Sequence, residues 1–506
     1  MRFNFLKGKN VVTNYEGAKA YTMTPEMELY SAVVTAGLSD SFYESGHERL
    51  KRIQSLMISV DAEFVAKLAV FARASMHMRS VPLVLAVELA KYCSGTDLVS
   101  RTVKGVVQRA DEITELLAYY QLSNGRTGTK KLNKLSKQVQ KGLSGAFNSF
   151  DEYQFAKYNR DGEVKLRDAL FLVHPKAKDD EQQNIFNKIV SQSLEVPYTW
   201  ETELSALGQT KFSDEKEKAI AFKAKWEKLI ESEKLGYMAL LRNLRNIIQA
   251  DVDYVYMQKV CSRLSNAHAV AKSKQFPFRF LAAYREVKEL KSDYVAMVLN
   301  ALEDAVVASA QNIKGFDETT KVVVACDVSG SMQKPVSARS KVLLYDIGLM
   351  LAMLMQSKSK RVISGMFGDK WKIINMPNNG VLSNVGEFYR REGEVGYSTN
   401  GHLVIDDLYL RKIVMDKIMI FTDCQLWNSS GGGGSLARSW KDYKKIAPQA
   451  KLYLFDLAGY GNTPLRIEDN DVFLIAGWSD KVFDVLEAIE DGASAISKIK
   501  EMELHR

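Results

Sequence analysis

Cysteine is scarce in this chain of 506 residues: Cys93, Cys261, Cys326 and Cys424 lie far apart and show no paired spacing. That excludes a disulfide framework and a cysteine-rich zinc site, and points to a reduced, intracellular protein. Proline is sparse as well. Nine prolines in this length leave room for long helices, since an interior proline costs a helix roughly 3 kcal/mol. No run approaches the ~18 consecutive apolar residues of a membrane span, and MRFNFLKGKN at the start lacks the apolar core and cleavage site of a secretory signal. The cytoplasm is the expected compartment, with no membrane partner. The six histidines, His47, His77, His174, His268, His402 and His505, show no metal-ligand spacing. No glycine loop leads into a phosphate-cradling lysine, and no nucleophile motif is present. An enzyme is therefore not expected.

Acidic residues are missing from one whole stretch. QLSNGRTGTKKLNKLSKQVQKGLSGAFNSF, residues 121–150, holds Arg126, Lys130, Lys131, Lys134, Lys137 and Lys141 without one Asp or Glu, in a chain of formal net charge +8. At about 100° per residue, Lys130, Lys134, Lys137 and Lys141 fall in one stripe, with Leu132, Leu135, Val139 and Leu143 opposite. The spacing predicts a helix that packs by one face and follows phosphates with the other, without reading bases. A solvated helix face is the plainer alternative; unneutralised repulsion over this length favours a polyanion.

From about Thr24 to Asn312 the periodicity is helical, as in EFVAKLAVFARASMHM, where Phe64, Leu68, Phe71 and Ala72 recur at three- and four-residue steps. Successive amphipathic segments suit an α-solenoid, with an irregular helical bundle as the alternative. Near Gly315 the texture changes to short apolar strands alternating with helices: KVVVACD, RVISGMFG, KIMIFTD, KLYLFDL and DVFLIAG. That alternation predicts a mostly parallel α/β sheet with helices on both faces. The expected division is residues 1–315, helical, and residues 316–506, α/β. NSSGGGGS, Asn428 to Ser435, reads as a mobile loop at the carboxyl edge of that sheet.

Ligands of open α/β sheets gather at the carboxyl ends of strands, and VVVACDVSGSMQ sets Asp327, Ser329 and Ser331 there. A carboxylate with two hydroxyls suits magnesium, which takes roughly six oxygen ligands. KIMIFTD adds Asp423 at the end of a later strand, and GYSTNGH adds Thr399, or Ser398 if the loop registers one residue earlier. A capping turn without metal is the bland alternative. The stretch resembles the von Willebrand factor A domain and its metal-ion-dependent adhesion site, Asp-x-Ser-x-Ser with a distant Thr and a later Asp. That resemblance implies a magnesium or other divalent ion able to accept an acidic or phosphate oxygen from a partner, which is binding chemistry. A magnesium-dependent nuclease using Asp327 and Asp423, or a metal-dependent protein-interaction scaffold without RNA, are the rival functions.

LAVFARASMHMRSVPLVLAVELA, TWETELS, MALLRNLRNI, FPFRFLAAY and VLNALEDAVVASAQNI resemble the TROVE module of the Ro ribonucleoprotein autoantigen family, bacterial relatives included. TROVE followed by an A domain is that family's arrangement. The resemblance implies a ring-like solenoid of HEAT-type helical repeats closed by a doubly wound A domain, binding Y-like noncoding RNA outside and single-stranded ends of structured or misfolded RNA in the central hole. It carries Y RNA recognition onto Lys157, Tyr158, His174 and Lys176, flanked by Arg160, Lys165 and Arg167, with Asp161, Glu163 and Asp168 diluting the positive field. For the hole it suggests Arg242 and Arg245, with His77 and Arg79; Arg242 could equally bridge helices. The expectation is a monomeric RNA-binding ribonucleoprotein component in noncoding RNA stability or quality control, with an exoribonuclease as a candidate partner.

Overall fold

The computed structural model describes residues 11–13, 19–36, 45–125, 135–159, 162–273, 275, 277–309, 319–336, 340–359, 361–377, 380–426, 435–465, 471–477 and 495–504. The chain forms two compact units, each discontinuous. One comprises Met1–Arg49 and Lys211–Ala495, the other Leu50–Thr210 and Ile496–Arg506. The helices after Lys211 thus cluster with the sheet, and the units do not follow the change of texture at Gly315.

The unit centred on Leu50–Thr210 is helical. Asp61 starts the Ala62–Ala74 helix by accepting hydrogen bonds from the Glu63 and Phe64 N–H groups, the N-cap arrangement that satisfies otherwise orphaned donors. Phe64, Leu68, Phe71 and Ala72 are buried, as their spacing predicts. This helix packs on Ser80–Tyr92 and Leu98–Val106, and the last of these packs on Lys137–Phe147. A Cβ on Gly142 would lie 2.6 Å from Val103 Cβ and 2.7 Å from the Ser100 carbonyl oxygen, so that crossing requires glycine. Inside the unit Arg73 holds Glu112 with three N–H···O bonds of 2.8, 3.1 and 3.3 Å, a buried pair that breaks the apolar interior without leaving a charge unmatched.

The other unit combines helices with two sheets. Its main sheet has the order β5-β4-β3-β6-β7-β9, with β3 Val322–Asp327, β4 Val362–Phe367, β5 Trp371–Ile373, β6 Lys417–Thr422, β7 Lys451–Asp456 and β9 Val472–Ala476. All neighbours are parallel except β5, which runs antiparallel to β4 at the edge. Every residue of β3 and β6 is buried, which is why these strands read as unbroken apolar runs. The Leu344–Lys358 helix lies so close that a Cβ on Gly348 would sit 2.8 Å from Phe421 Cβ. A small antiparallel sheet joins β1 Val11–Thr13 and β2 Lys19–Thr22 to β8 Asn462–Thr463. Within this unit the helical part is keyed to the sheet by Glu303, whose carboxylate accepts the N–H groups of Val381, Leu382 and Ser383 at 2.7, 2.9 and 2.8 Å and so caps the Val381–Arg390 helix. The architecture is α + α/β.

Candidate metal centre and basic surfaces

The carboxyl edge of the main sheet gathers the predicted oxygen ligands. β3 ends in Asp327, fully buried, whose Oδ1 accepts the Ser329 N–H at 2.9 Å and whose Oδ2 accepts the Thr422 hydroxyl at 2.8 Å. The chain then winds into a short 3-10 turn, Gly330–Gln333, with the Ser329 and Ser331 hydroxyl oxygens 3.3 Å apart and both side chains buried. On the neighbouring strand β6, Thr422 leads into Asp423, whose Oδ1 accepts the Gln425 N–H at 3.0 Å. Its Oδ2 is buried with no hydrogen-bond partner. Burial, and then the negative charge of Asp327, push the Asp423 carboxyl up to about 7, while the Ser331 hydroxyl and the Gln425 N–H pull the other way.

Thr399 arrives from a loop rather than a strand. It is 5% exposed, its carbonyl accepts the Gly401 N–H at 3.0 Å, and the next residue, Asn400, donates its N–H to Gly368 at 3.2 Å, just beyond β4. A Cβ on Gly401 would lie 3.0 Å from Leu426 and 3.5 Å from Phe367, so this loop rests against the segments that leave β6 and β4. Ser398 faces away, bound through its N–H to Asp369 at 3.1 Å. Of the two hydroxyls open at the sequence level, the buried one is Thr399.

This donor set fits a hard divalent cation. A buried carboxylate oxygen without a donor beside a second buried carboxylate is costly unless a proton or a cation occupies the space between them. Among the described residues no group of three or more His, Cys, Asp or Glu side chains converges, so the oxygens on offer here are two carboxylates and three hydroxyls, a set that suits magnesium better than zinc.

The basic residues fall differently from expectation. Ser136 is the N-cap of the Lys137–Phe147 helix, accepting the Val139 N–H at 3.2 Å, so one continuous helix does not carry all four lysines of the stripe. Lys130 and Lys134 lie outside the described residues, as does Arg160. Lys137 and Lys141 are exposed one turn apart, with no acidic partner among the described residues, while Leu135, Val139 and Leu143 are buried beneath. Between them Gln140 donates to the Val173 carbonyl at 3.0 Å, which sets this face beside His174. His174 is exposed and ends the Leu166–Val173 helix in the left-handed conformation, φ 48°, a helix-end role. The Lys176 carbonyl is held by Asn148 at 2.9 Å, at the far end of the same lysine-bearing helix.

Lys157 lies 5.6 Å over both the Tyr153 and Tyr158 rings, and the Arg109 guanidinium covers Tyr158 at 4.1 Å. Tyr158 is therefore stacked on a cation of its own chain, whereas Tyr153 and Phe171, the latter 5.6 Å beneath Arg167, stay about half exposed. Lys165 is the N-cap of the Leu166–Val173 helix. Arg79 is committed to Asp111 at 2.9 Å and Glu112 at 3.4 Å. His77 sits before it with a positive φ of 53°. In the other unit, Arg242 and Arg245 are exposed on Tyr237–Gln249; Arg245 lies 3.8 Å from Glu286, and Arg242 is close enough to Arg279 for its charge to disfavour that residue's protonation, after burial. Arg279 was not singled out by sequence; its place in FPFRF, on a helix packed against Tyr237–Gln249, was the available signal.

Known proteins can be set beside this geometry. Telomerase protein component 1 of Rattus norvegicus is 24% identical over 340 residues, 52% of this chain and 12% of that protein. The Mus musculus protein of the same name is 23% identical over 316 residues, 47% of this chain and again 12% of its own length. The chain thus spans about 12% of either relative. The crystal structure of the Deinococcus radiodurans RO (RSR) protein shares the fold, with a TM-score of 0.62 at 16% identity, covering 93% of this chain and 100% of that one. The TROVE domain matches residues 18–224 and 191–336, well over half of the sequence, and the chain belongs to the TROVE domain family.

Proposed function

We propose that the chain is the RNA-binding component of a ribonucleoprotein. Membership of the TROVE domain family and the fold of the Deinococcus Ro protein support that reading. The observation that carries it in this molecule is the exposed Lys137–Lys141 face, without an acidic partner among the described residues, set beside His174 by the Gln140–Val173 hydrogen bond. Cations one helical turn apart, about 5.4 Å, can track phosphates and release their counterions whatever the sequence. The RNA in this proposal is a structured, Y-like noncoding RNA, with single-stranded ends of misfolded RNA meeting Arg242 and Arg245. It is held and left intact, in RNA stability or quality control in the cytoplasm, with an exoribonuclease as the partner that acts on it.

The A-domain-like edge has a separate task. Asp327, Ser329, Ser331, Thr399 and Asp423 would hold the divalent ion, and the ion supplies an open position for a carboxylate or phosphate oxygen. The protein groups set that position: the Thr422 hydroxyl and Ser329 N–H orient Asp327, and the Gln425 N–H orients Asp423. Sequencing the RNA that copurifies with the chain from its own cells tests the proposal. Enrichment of full-length structured noncoding RNA is expected; recovery of no RNA above background overturns it, and magnesium-dependent cleavage lost in Asp327→Ala replaces it with a nuclease.

A further inference from the structure

The loop that delivers Thr399 is clamped to the β4–β5 turn, residues 368–370, by contacts that involve none of the candidate cation ligands. Lys370 donates its N–H to the Val395 carbonyl at 3.1 Å, and Gly368 accepts from the Asn400 N–H at 3.2 Å. Asp369, which is exposed, takes the Ser398 N–H on Oδ1 at 3.1 Å, and the polar groups of Ser398 hold its carboxyl below the ordinary range. One residue earlier in the clamp, Lys372 of β5 pairs with Glu394 at 2.5 Å and Arg391 pairs with the same carboxylate at 2.9 Å.

Two glycines make the approach possible. A Cβ on Gly368 would lie 2.2 Å from the Gly396 carbonyl oxygen. Gly396 has φ +73°, and a Cβ there would lie 2.1 Å from Asp369 Oδ2. A side chain at Gly368 would meet the Gly396 backbone and force the loop off the turn, and one at Gly396 would be strained by the positive φ and would displace the Asp369 carboxylate. The consequence falls on Thr399: with Ser398 bound outward, the following hydroxyl is turned into the buried side of the loop.

We propose that Asp369 is a positioning residue for the cation site, fixing the Ser398 amide so that the Thr399 hydroxyl stands ready among the oxygens of Asp327, Ser329, Ser331 and Asp423. This rests on the cation reading of that edge. A free loop would have to be ordered each time the ion bound, and groups that orient metal ligands typically matter by about 10- to 100-fold in metal affinity.

The test uses the full chain, with manganese titration calorimetry and amide hydrogen exchange read on the wild type, Asp369→Ala and Asp369→Asn. The wild type should bind one ion; Asp369→Ala should bind it at least about tenfold more weakly, with faster exchange at Ser398 and Asn400 and an unchanged melting temperature. Asp369→Asn, which keeps a side-chain acceptor, should fall between the two. Wild-type affinity in Asp369→Ala, or unchanged exchange at Ser398, overturns the clamp while leaving the cation site standing. A wild type that takes up no manganese disproves the cation site, and the positioning role with it.

Discussion

Arg285 closes both arms of its guanidinium on Asp346, Nη1 to Oδ2 and Nη2 to Oδ1, each at 2.7 Å. Asp346 is fully buried near the start of the Leu344–Lys358 helix and also accepts the Leu343 N–H at 2.8 Å, while Arg285 is 27% exposed, reaches the Lys341 carbonyl at 3.1 Å and lies 5.8 Å over the Tyr389 ring. One planar group thus fastens the Pro277–Lys288 helix to the first helix of the α/β sheet.

Arg285→Ala should lower the unfolding free energy by about 3 kcal/mol, because it strands a buried carboxylate. Arg285→Lys should lose less, keeping the charge but not the fork. Pairing Arg285→Met with Asp346→Leu should recover part of the loss, since the stranded charge goes too. Urea denaturation of the three variants reads this directly; an Arg285→Ala midpoint equal to wild type would mean that the bidentate pair does not hold the helices.

The carboxyl edge should make the cation-free protein sensitive to pH. Asp423 is raised to about 7 when folded, by burial and by Asp327, against an ordinary carboxyl near 4 when unfolded. Between those values the folded state holds a proton that the unfolded state releases, so this contribution is fully present below about pH 4, declines as pH rises through 7 and is flat above it. In chelator, the protein should be more stable at pH 6 than at pH 8 by about 1 kcal/mol from this group, with magnesium narrowing the gap at pH 8. Asp456, also raised by burial, acts in the same direction, so Asp423→Asn should flatten the profile only partly. A profile that Asp423→Asn leaves untouched would show that Asp423 titrates elsewhere.

How much of this was legible depended on where each signal was stored. The β3 and β6 runs and their terminal Asp327 and Asp423 stood out because strands buried on both faces are written as unbroken apolar segments, and a carboxylate ending one is conspicuous. β5 did not stand out: three residues, Trp371–Ile373, with an exposed lysine in the middle, owe their strand conformation to pairing with β4 at the sheet edge. β2 and β8 are paired across some 440 residues of chain, Tyr21 with Thr463, which no local window contains. The lysine stripe misled because a period of 3.6 says nothing about where a helix starts. Ser136 falls on the apolar side of that pattern and yet acts as the cap, a position that serine favours. Asp369 was invisible for a different reason: Gly-Asp-Lys reads as an ordinary turn, and its significance lies in Gly396 and Ser398 some 30 residues on.

The last expectation separates cations free to meet RNA from cations already spoken for. Lys137 and Lys141 are exposed and without acidic partners among the described residues, whereas Arg79, itself 46% exposed, is paired with Asp111 and Glu112. Each phosphate neutralised contributes about 0.9 to the slope of log affinity against log salt on a duplex, and about 0.7 on a single strand. The Lys137→Gln/Lys141→Gln double variant should therefore shallow that slope by roughly 1.4–1.8 and weaken binding across RNA sequences alike, while leaving the helix intact because glutamine is a comparable helix former. Arg79→Gln should leave the slope where it was, since the arginine's charge is already matched by carboxylates. Filter binding of one structured RNA at four salt concentrations distinguishes the cases. If the double lysine variant keeps the wild-type slope, phosphates do not pass along this face, and the basic turn after His174 becomes the next surface to neutralise.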